Sequence, residues 1–310
     1  MTTILLTGAA GQVGRELLHS LAALGTLHAT VRTPSNSPAL SGSTALHLAD
    51  FEAVRELVMR LRPQVIVNPA AYTAVDQAES ETAAAERLNA ELPRVLAECA
   101  AACDALLVHY STDYVFDGSG TRPWREDDRT GPLNAYGRTK LAGEEAIRRT
   151  GARHLIFRTS WVYGVHGKNF VKTMLRLGAE RKQLRVVSDQ IGAPTSARVI
   201  ADVTAQVLAQ ARGDISAWAN EHAGTYHLAC AGETSWHAFA QQIFASARAA
   251  GVALVVDEAT PIASSEYPTP AVRPLNSRLD KSLLAQHFGL QPPDWQQALD
   301  ASLEEIVRAG

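Results

Sequence analysis

The chain has 310 residues, 29 basic and 32 acidic side chains and a net charge of −3. This near-neutral balance gives no electrostatic case for nucleic acid or an anionic membrane as the main partner. With 46% hydrophobic and 20% charged residues, the composition excludes wholesale disorder, and the length suits about two domains.

No apolar run reaches the ~18 residues that a membrane span needs. Met1–Leu6 carries no cationic region ahead of a long apolar stretch, so it is not expected to be a secretory signal. Cys99, Cys103 and Cys230 do not suit a disulfide framework or a zinc site. They are expected to be small buried hydrophobes in a protein of the reducing cytoplasm.

In chain order, Ile4–Thr7 predicts a strand, Val13–Leu24 a helix and Leu27–Val31 a second strand. Asn36–Ser43 is a short polar loop. Phe51–Leu61 predicts a helix, Val65–Val67 a strand, and Ala83–Ala102 a long helix that Pro93 kinks or splits. Leu106–Tyr110 and His154–Arg158 follow as strands, with Leu141–Arg149 helical between them. This alternation, with strands apolar on both faces, predicts α/β architecture: a Rossmann-type doubly wound parallel sheet.

Beyond Thr159 the rhythm loosens into a smaller mixed α/β unit expected to hold substrate. Phe170–Leu177, Ser196–Ala211 and Ser235–Ala249 predict helices, and Val186–Val187 and Tyr226–Ala229 short strands. Four prolines make Thr260–Pro274 a loop. The expected division is residues 1–160 for dinucleotide, with a return segment near 196–212, and 161–310 mainly for substrate.

Thr7-Gly8-Ala9-Ala10-Gly11-Gln12-Val13-Gly14 follows the first strand and opens the first helix. Gly8 allows the tight turn, Gly11 the approach of a pyrophosphate, and Gly14 close helix packing. The helix N-terminus offers free N–H groups to phosphate. An NAD site commonly carries a carboxylate at the end of the second strand, where this chain has Arg32. A guanidinium there can pair with a 2′-phosphate, with Ser35 and Ser37 adding hydroxyls, so NADPH is the expected cofactor and NADH a possible one. Asp50 is a candidate partner for the adenine amine.

Tyr136 and Lys140 stand four apart on an expected helix that Pro132 and Asn134 introduce, so they share one face. A neighbouring ammonium lowers a phenol's pKa from about 10 and tunes it for proton transfer to a carbonyl oxygen. Ser111 and Thr112 end a strand, where side chains enter the ligand crevice, and Thr112 can polarise a substrate carbonyl. Among the histidines, His222 and His227 read as structural, and Gly232–Ser235 before Trp236 as a helix start.

With these residues the chain resembles the extended short-chain dehydrogenase/reductases, and more narrowly the branch that forms dTDP-L-rhamnose. The resemblance also rests on Asn68–Asp76, Ser111–Gly118, Pro132–Lys140, Arg158–Tyr163, Asp189–Thr195 and Arg273–Ser277. It implies NADPH-dependent reduction of the C4 ketone of dTDP-4-dehydro-6-deoxy-L-mannose, with Tyr136, Lys140 and Thr112 catalytic. The cofactor would meet Gly8, Gly11, Gln12, Val13, Gly14, Arg32, Asp50, Phe51, Ala70, Ala71, Tyr72, Tyr136 and Lys140. The sugar nucleotide would meet Val75, Thr112, Asp113, Tyr114, Trp161, Asn169, Gln190 and Arg273. For Trp161 simple packing competes with this role, and for Arg273 an interdomain salt bridge does.

Two other functions stay open on the same fold. A nucleotide-sugar epimerase or dehydratase is disfavoured by Thr112-Asp113-Tyr114, which lacks the dehydratase glutamate. A non-catalytic NADP-binding regulatory subunit is disfavoured by the intact Thr112, Tyr136 and Lys140. Some members of the family are described as dimers bridged by magnesium and glutamates. Glu16 matches one such position, but Arg198 stands near the other, so no metal site and a monomer are expected, with a dimer as the alternative.

Overall fold

The computed structural model describes residues 2–33, 37–211 and 213–309. The strands are β1 (Thr2–Leu6), β2 (Gly25–Val31), β3 (Thr44–Ala45), β4 (Val65–Asn68), β5 (Leu106–Thr112), β6 (His154–Thr159), β7 (Val162–Tyr163), β8 (Gln183–Val187), β9 (Ile191–Gly192), β10 (Thr195–Ser196), β11 (Gly224–His227), β12 (Thr234–Ser235), β13 (Glu258–Ile262) and β14 (Asn276–Ser277). The helices are α1 (Gln12–Ser20), α2 (Phe51–Leu61), α3 (Val75–Ala78), α4 (Thr82–Glu86), α5 (Leu92–Cys103), α6 (Ala135–Arg149), α7 (Phe170–Glu180), α8 (Ala197–Ala209), α9 (Ile215–His222), α10 (Trp236–Ala249), α11 (Ser282–Phe288) and α12 (Trp295–Ala309).

Seven strands form one sheet in the order β11-β6-β5-β4-β1-β2-β3, with every pair parallel. The chain turns outward in opposite directions from β1, so the switch point lies between β1 and β4. Ligands of open α/β sheets bind in the crevice at such a point, beyond the carboxyl ends of the strands.

The two-residue period of the strands sends alternate side chains to opposite faces. Ile4, Leu6, Val67 and Val108 pack with Leu17 of α1, Leu21 just after it, and Val203 and Val207 of α8. Leu5, Ile66, Leu107 and Ile156 pack with Val58 of α2, Leu96 of α5 and Ile147 of α6. A separate core joins Val171 and Met174 of α7, Leu184 of β8, Phe239 and Ile243 of α10, and Leu303 of α12.

Two segments depart from the sequence reading. Residues 226–227 are part of β11, which pairs with β6 and extends the main sheet rather than the second unit. Within the expected loop 260–274, residues 260–262 belong to β13, which pairs with β8 alone, and an edge strand tolerates Pro261. The helix 83–102, expected to be kinked or split by Pro93, is split by a π turn at Arg87–Glu91 between α4 and α5. Pro93 has no N–H for the Asn89 carbonyl. That oxygen instead faces α6, where a Cβ on Gly143 would lie 2.0 Å from it.

Candidate active site

The glycine loop sits at the switch point. Gly8 has φ +56°, and a Cβ there would lie 2.9 Å from the Ala70 Cβ. A Cβ on Gly14 would lie 2.2 Å from the Gly8 oxygen, so only glycine lets α1 seat on the loop. Gly11 caps α1 with no side chain over its first N–H groups, and no acidic residue enters the first turn. Gln12, Val13 and Gly14 thus present backbone donors in a cradle that fits a pyrophosphate.

Arg32 follows β2, is exposed, and makes no ion pair among the described residues. Ser35 lies outside the described residues. Arg15 of α1 was not foreseen; it donates to Ser37 Oγ at 3.1 Å and so reaches the same loop as Arg32. The expected pairing of Asp50 with adenine meets a competing role, because its carboxylate caps α2 by accepting from Ala53 N at 3.1 Å. Beside it, the Arg87 guanidinium lies 4.3 Å over the Phe51 ring. These residues line an open cleft of about 590 Å³ with His47 and Ala49. Tyr72 is held by Asn89, which accepts from its N at 2.8 Å and donates to its O at 3.1 Å. A lone asparagine in an Ala- and Leu-rich helical run was the available signal.

Asn134 caps α6, accepting from Gly137 N at 2.8 Å. A Cβ on Gly137 would lie 2.2 Å from the Tyr114 oxygen, so the helix start lies directly on the turn after β5. There Tyr136 meets Tyr114 edge to face, with ring centroids 5.7 Å apart. Burial pushes the Tyr136 phenol up to about 12; a hydrogen bond from Thr112 opposes this, and the Asp113 charge adds to it. The expected lowering by Lys140 is not found. The Lys140 ammonium donates to the Tyr110 carbonyl at 2.6 Å and lies 3.2 Å from His109 Nε2. Burial lowers the Lys140 amine from 10.5 to about 8, with Glu144 resisting.

A buried polar chain continues from there. Asn68 Nδ2 is 3.1 Å from His109 Nδ1, and Thr7 donates to Asn68 Oδ1 at 2.6 Å. Burial and the Lys140 charge hold His109 well below its ordinary pKa. The sequence reading missed His109, although a histidine in the apolar run Leu106–Tyr110 was visible. Ser111 is buried and its Oγ has no hydrogen-bond partner; on the neighbouring α6 the Glu144 carboxylate binds the Arg158 guanidinium at 2.7 and 2.9 Å.

Thr112 is buried and donates to Asp113 Oδ1 at 3.0 Å, while Tyr114 N donates to Thr112 Oγ1 at 3.2 Å. Asp113 is 2% exposed, so its carboxyl is turned into the protein. Trp161 has φ +49°, a left-handed conformation costly for a bulky side chain, and such strain gathers at functional sites. Its indole stacks on Trp236 with centroids 3.7 Å apart. Val75 opens α3 and is half-buried.

Three candidates for the sugar nucleotide are engaged inside the protein. Asn169 caps α7 and donates to Gln12 Oε1 at 3.0 Å, which places it at the glycine loop. Gln190 is buried with both ends of its amide used, donating to Ser264 and accepting from Trp236. Arg273 binds the Asp76 carboxylate at 2.8 and 3.1 Å, the ion-pair alternative weighed for it.

The remaining expectations are structural. Cys99 and Cys230 are buried and Cys103 is partly buried; all three are free thiols. His222 Nδ1 meets the Trp218 carbonyl at 2.9 Å, and His227 Nδ1 meets the Asp280 carbonyl at 3.0 Å. Ser235 caps α10.

A glycine cradle at the switch point, linked through Asn68 and His109 to a lysine that shares α6 with a tyrosine, fits a dinucleotide-dependent oxidoreductase of the extended short-chain dehydrogenase/reductase class. The chain belongs to the RmlD substrate binding domain family, whose profile matches residues 1–308. It is 48% identical over 306 residues to the dTDP-4-dehydrorhamnose reductase of Shigella flexneri, covering 98% of this chain and 97% of that protein. The crystal structure of dTDP-4-dehydrorhamnose reductase from Bacillus anthracis in complex with NADP matches with a TM-score of 0.86 at 33% identity, covering 98% of this chain and 100% of that one. The ortholog from Clostridium acetobutylicum matches with a TM-score of 0.83 at 36% identity, covering 97% and 98%.

Proposed function

We propose that this chain reduces the C4 ketone of dTDP-4-dehydro-6-deoxy-L-mannose with NADPH and forms dTDP-L-rhamnose. The observation that carries this reading is the full-length family match, together with Thr112, Tyr136 and Lys140 on their expected elements.

The residues fit the cofactor, because the glycine loop leaves room where any Cβ would intrude and α1 offers uncapped N–H groups. Gly8, Gly11, Gln12, Val13 and Gly14 hold the pyrophosphate, Arg32 with Arg15 the 2′-phosphate, and Phe51 the adenine side. Ala70, Ala71 and Tyr72 line the crevice wall, and Lys140 holds the nicotinamide ribose. Bound there, the cofactor supplies a hydride to C4.

Tyr136 donates its proton to the C4 oxygen. Its high pKa keeps the phenol protonated before reaction, which suits an acid in the reducing direction. Thr112 donates its hydroxyl proton to the C4 oxygen, which orients and polarises the carbonyl as negative charge develops there. Val75, Tyr114 and Trp161 form walls around the sugar, with residues 161–310 supplying most of the nucleotide site. No described helix is long and apolar enough to cross a membrane. A cytoplasmic monomer is the form we assign, from the three free thiols and from the Arg198–Glu16 ion pair, which occupies a carboxylate that a bridging cation would need.

The test is NADPH oxidation with enzymatically prepared dTDP-4-dehydro-6-deoxy-L-mannose. Tyr136→Phe keeps cofactor binding and lowers kcat by about 10²-fold or more; near-normal kcat would remove Tyr136 from this role.

A further inference from the structure

Residues 271–276 form a strap tied to segments that leave the carboxyl ends of β4 and β5, the side of the sheet where the crevice lies. At its start, Ala271 N and the Arg273 guanidinium both donate to the Asp76 carboxylate, next to Val75 on α3. At its far end, Asn276 N donates to the Gly118 carbonyl at 3.0 Å, and a Cβ on Gly118 would lie 2.4 Å from the Pro274 Cβ. Between these, the Val272 carbonyl accepts from Asn134 Nδ2 at 2.8 Å. Val272 and Leu275 are 61% and 51% exposed, so neither of these side chains anchors the strap.

Asn134 is buried and uses both ends of its amide. Its Oδ1 accepts from Gly137 N at 2.8 Å and so starts α6, two residues before Tyr136. The two partners fix the amide's orientation, because Gly137 N can only donate and the Val272 carbonyl only accept. A cap alone needs an oxygen, which aspartate or serine supplies as well as asparagine does, and aspartate also suits the positive end of a helix. What asparagine adds is the N–H arm, and that arm goes to the strap. The neighbouring Ala135 N has its own acceptor, Glu79 Oε1 at 2.7 Å.

We propose that Asn134 is a positioning residue for the reduction assigned above: its amide ties the strap to the first turn of α6 and sets one distance between the strap and Tyr136. Val75, a wall of the sugar, stands beside Asp76 at the strap's first tie. A shift of the strap against α6 therefore carries the C4 oxygen away from the Tyr136 proton, and a misplacement of about 1 Å can cost about 10²-fold in rate. The phosphate cradle belongs to β1 and α1 and does not depend on this tie. The proposal rests on the reductase reading.

The experiment compares wild type, Asn134→Asp and Asn134→Ser by steady-state kinetics with NADPH and the keto-sugar, by NADPH titration and by melting. Both replacements keep an oxygen for Gly137 N. Neither donates to Val272: aspartate sets a carboxylate oxygen against that carbonyl, and the serine hydroxyl stops one bond short of it. In both, kcat falls about tenfold or more, the NADPH dissociation constant stays within about twofold, and melting falls by no more than about 5 °C. A role in capping alone predicts wild-type kcat in both variants, and that result would overturn the proposal. A rise in keto-sugar KM at unchanged kcat, or an equal loss of NADPH affinity, would do the same. If Asn134→Asp does not fold, Asn134→Ser decides; if neither folds, the amide serves stability alone and the proposal fails. Wild-type enzyme that binds NADPH but leaves the keto-sugar unreduced would remove the reductase reading and the proposal with it, whereas active wild type with unaffected variants removes the proposal alone.

Discussion

At Tyr136, burial works against acidity while the Thr112 hydroxyl works for it, and burial wins. The outcome suits a proton donor, because a phenol already ionised at neutral pH has nothing to give. Lys140 follows the same physics with the opposite charge. Its amine falls to about 8, so between about 8 and 10.5 the folded chain binds fewer protons than the unfolded one. Stability credited to this position therefore rises with pH through that window. Thermal melts of wild type against Lys140→Met should diverge by several degrees in favour of wild type as pH climbs from about 8 to about 10.5. Parallel curves would place the amine at its ordinary value. Arg32 carries a second prediction. If it pairs with the 2′-phosphate, Arg32→Ala raises KM for NADPH about tenfold and leaves KM for NADH almost unchanged. Equal effects on the two cofactors would make it a surface charge.

Among the elements, glycine decides how closely helices approach the site. Gly14 seats α1 on the phosphate loop, and Gly137 seats α6 on the turn that carries Thr112 and Tyr114. Gly14→Ala would push its Cβ into backbone, which cannot move aside as a side chain can. It should cost about 1–3 kcal/mol in stability and weaken NADPH binding at least about tenfold. Melting and cofactor titration check this, and wild-type values in both would mean that α1 has slack. Gly192 plays a related part beneath Trp161, whose ring would lie 2.8 Å from an added Cβ. Most of these elements were legible because strong hydrophobic periodicity and turn residues agree locally. Residues 258–262 and 224–227 were less so, since a short edge strand shows too few side chains to declare its partner.

Across the whole molecule, the same arginine that breaks the acidic pattern also occupies it. Arg198 Nε lies 2.7 Å from Glu16 Oε2, and its other arm lies 3.4 Å from Glu305. A guanidinium already neutralises the carboxylate that a divalent ion would need. Sedimentation should give a monomer with or without added magnesium, and a magnesium-dependent dimer would contradict this.

The phosphate loop and the Tyr136–Lys140 face were legible in the residues alone because each is encoded by local spacing, and the parallel sheet because strands apolar on both faces alternate with helices. Spacing fixed what α6 presents, and Gly8, Gly11 and Gly14 what β1 and α1 can cradle. The partners of the polar side chains came from the fold. Asn169, Gln190 and Arg273 are polar side chains that can hold a ligand or another residue, and the fold brings Gln12, Trp236 with Ser264, and Asp76 within reach of them. Lys140 was expected to act on Tyr136, but β5 passes beneath it and offers the Tyr110 carbonyl and His109 instead. Hydrogen bonds are satisfied by whatever folding places within about 3 Å, and that distance is set by chain segments far apart in sequence.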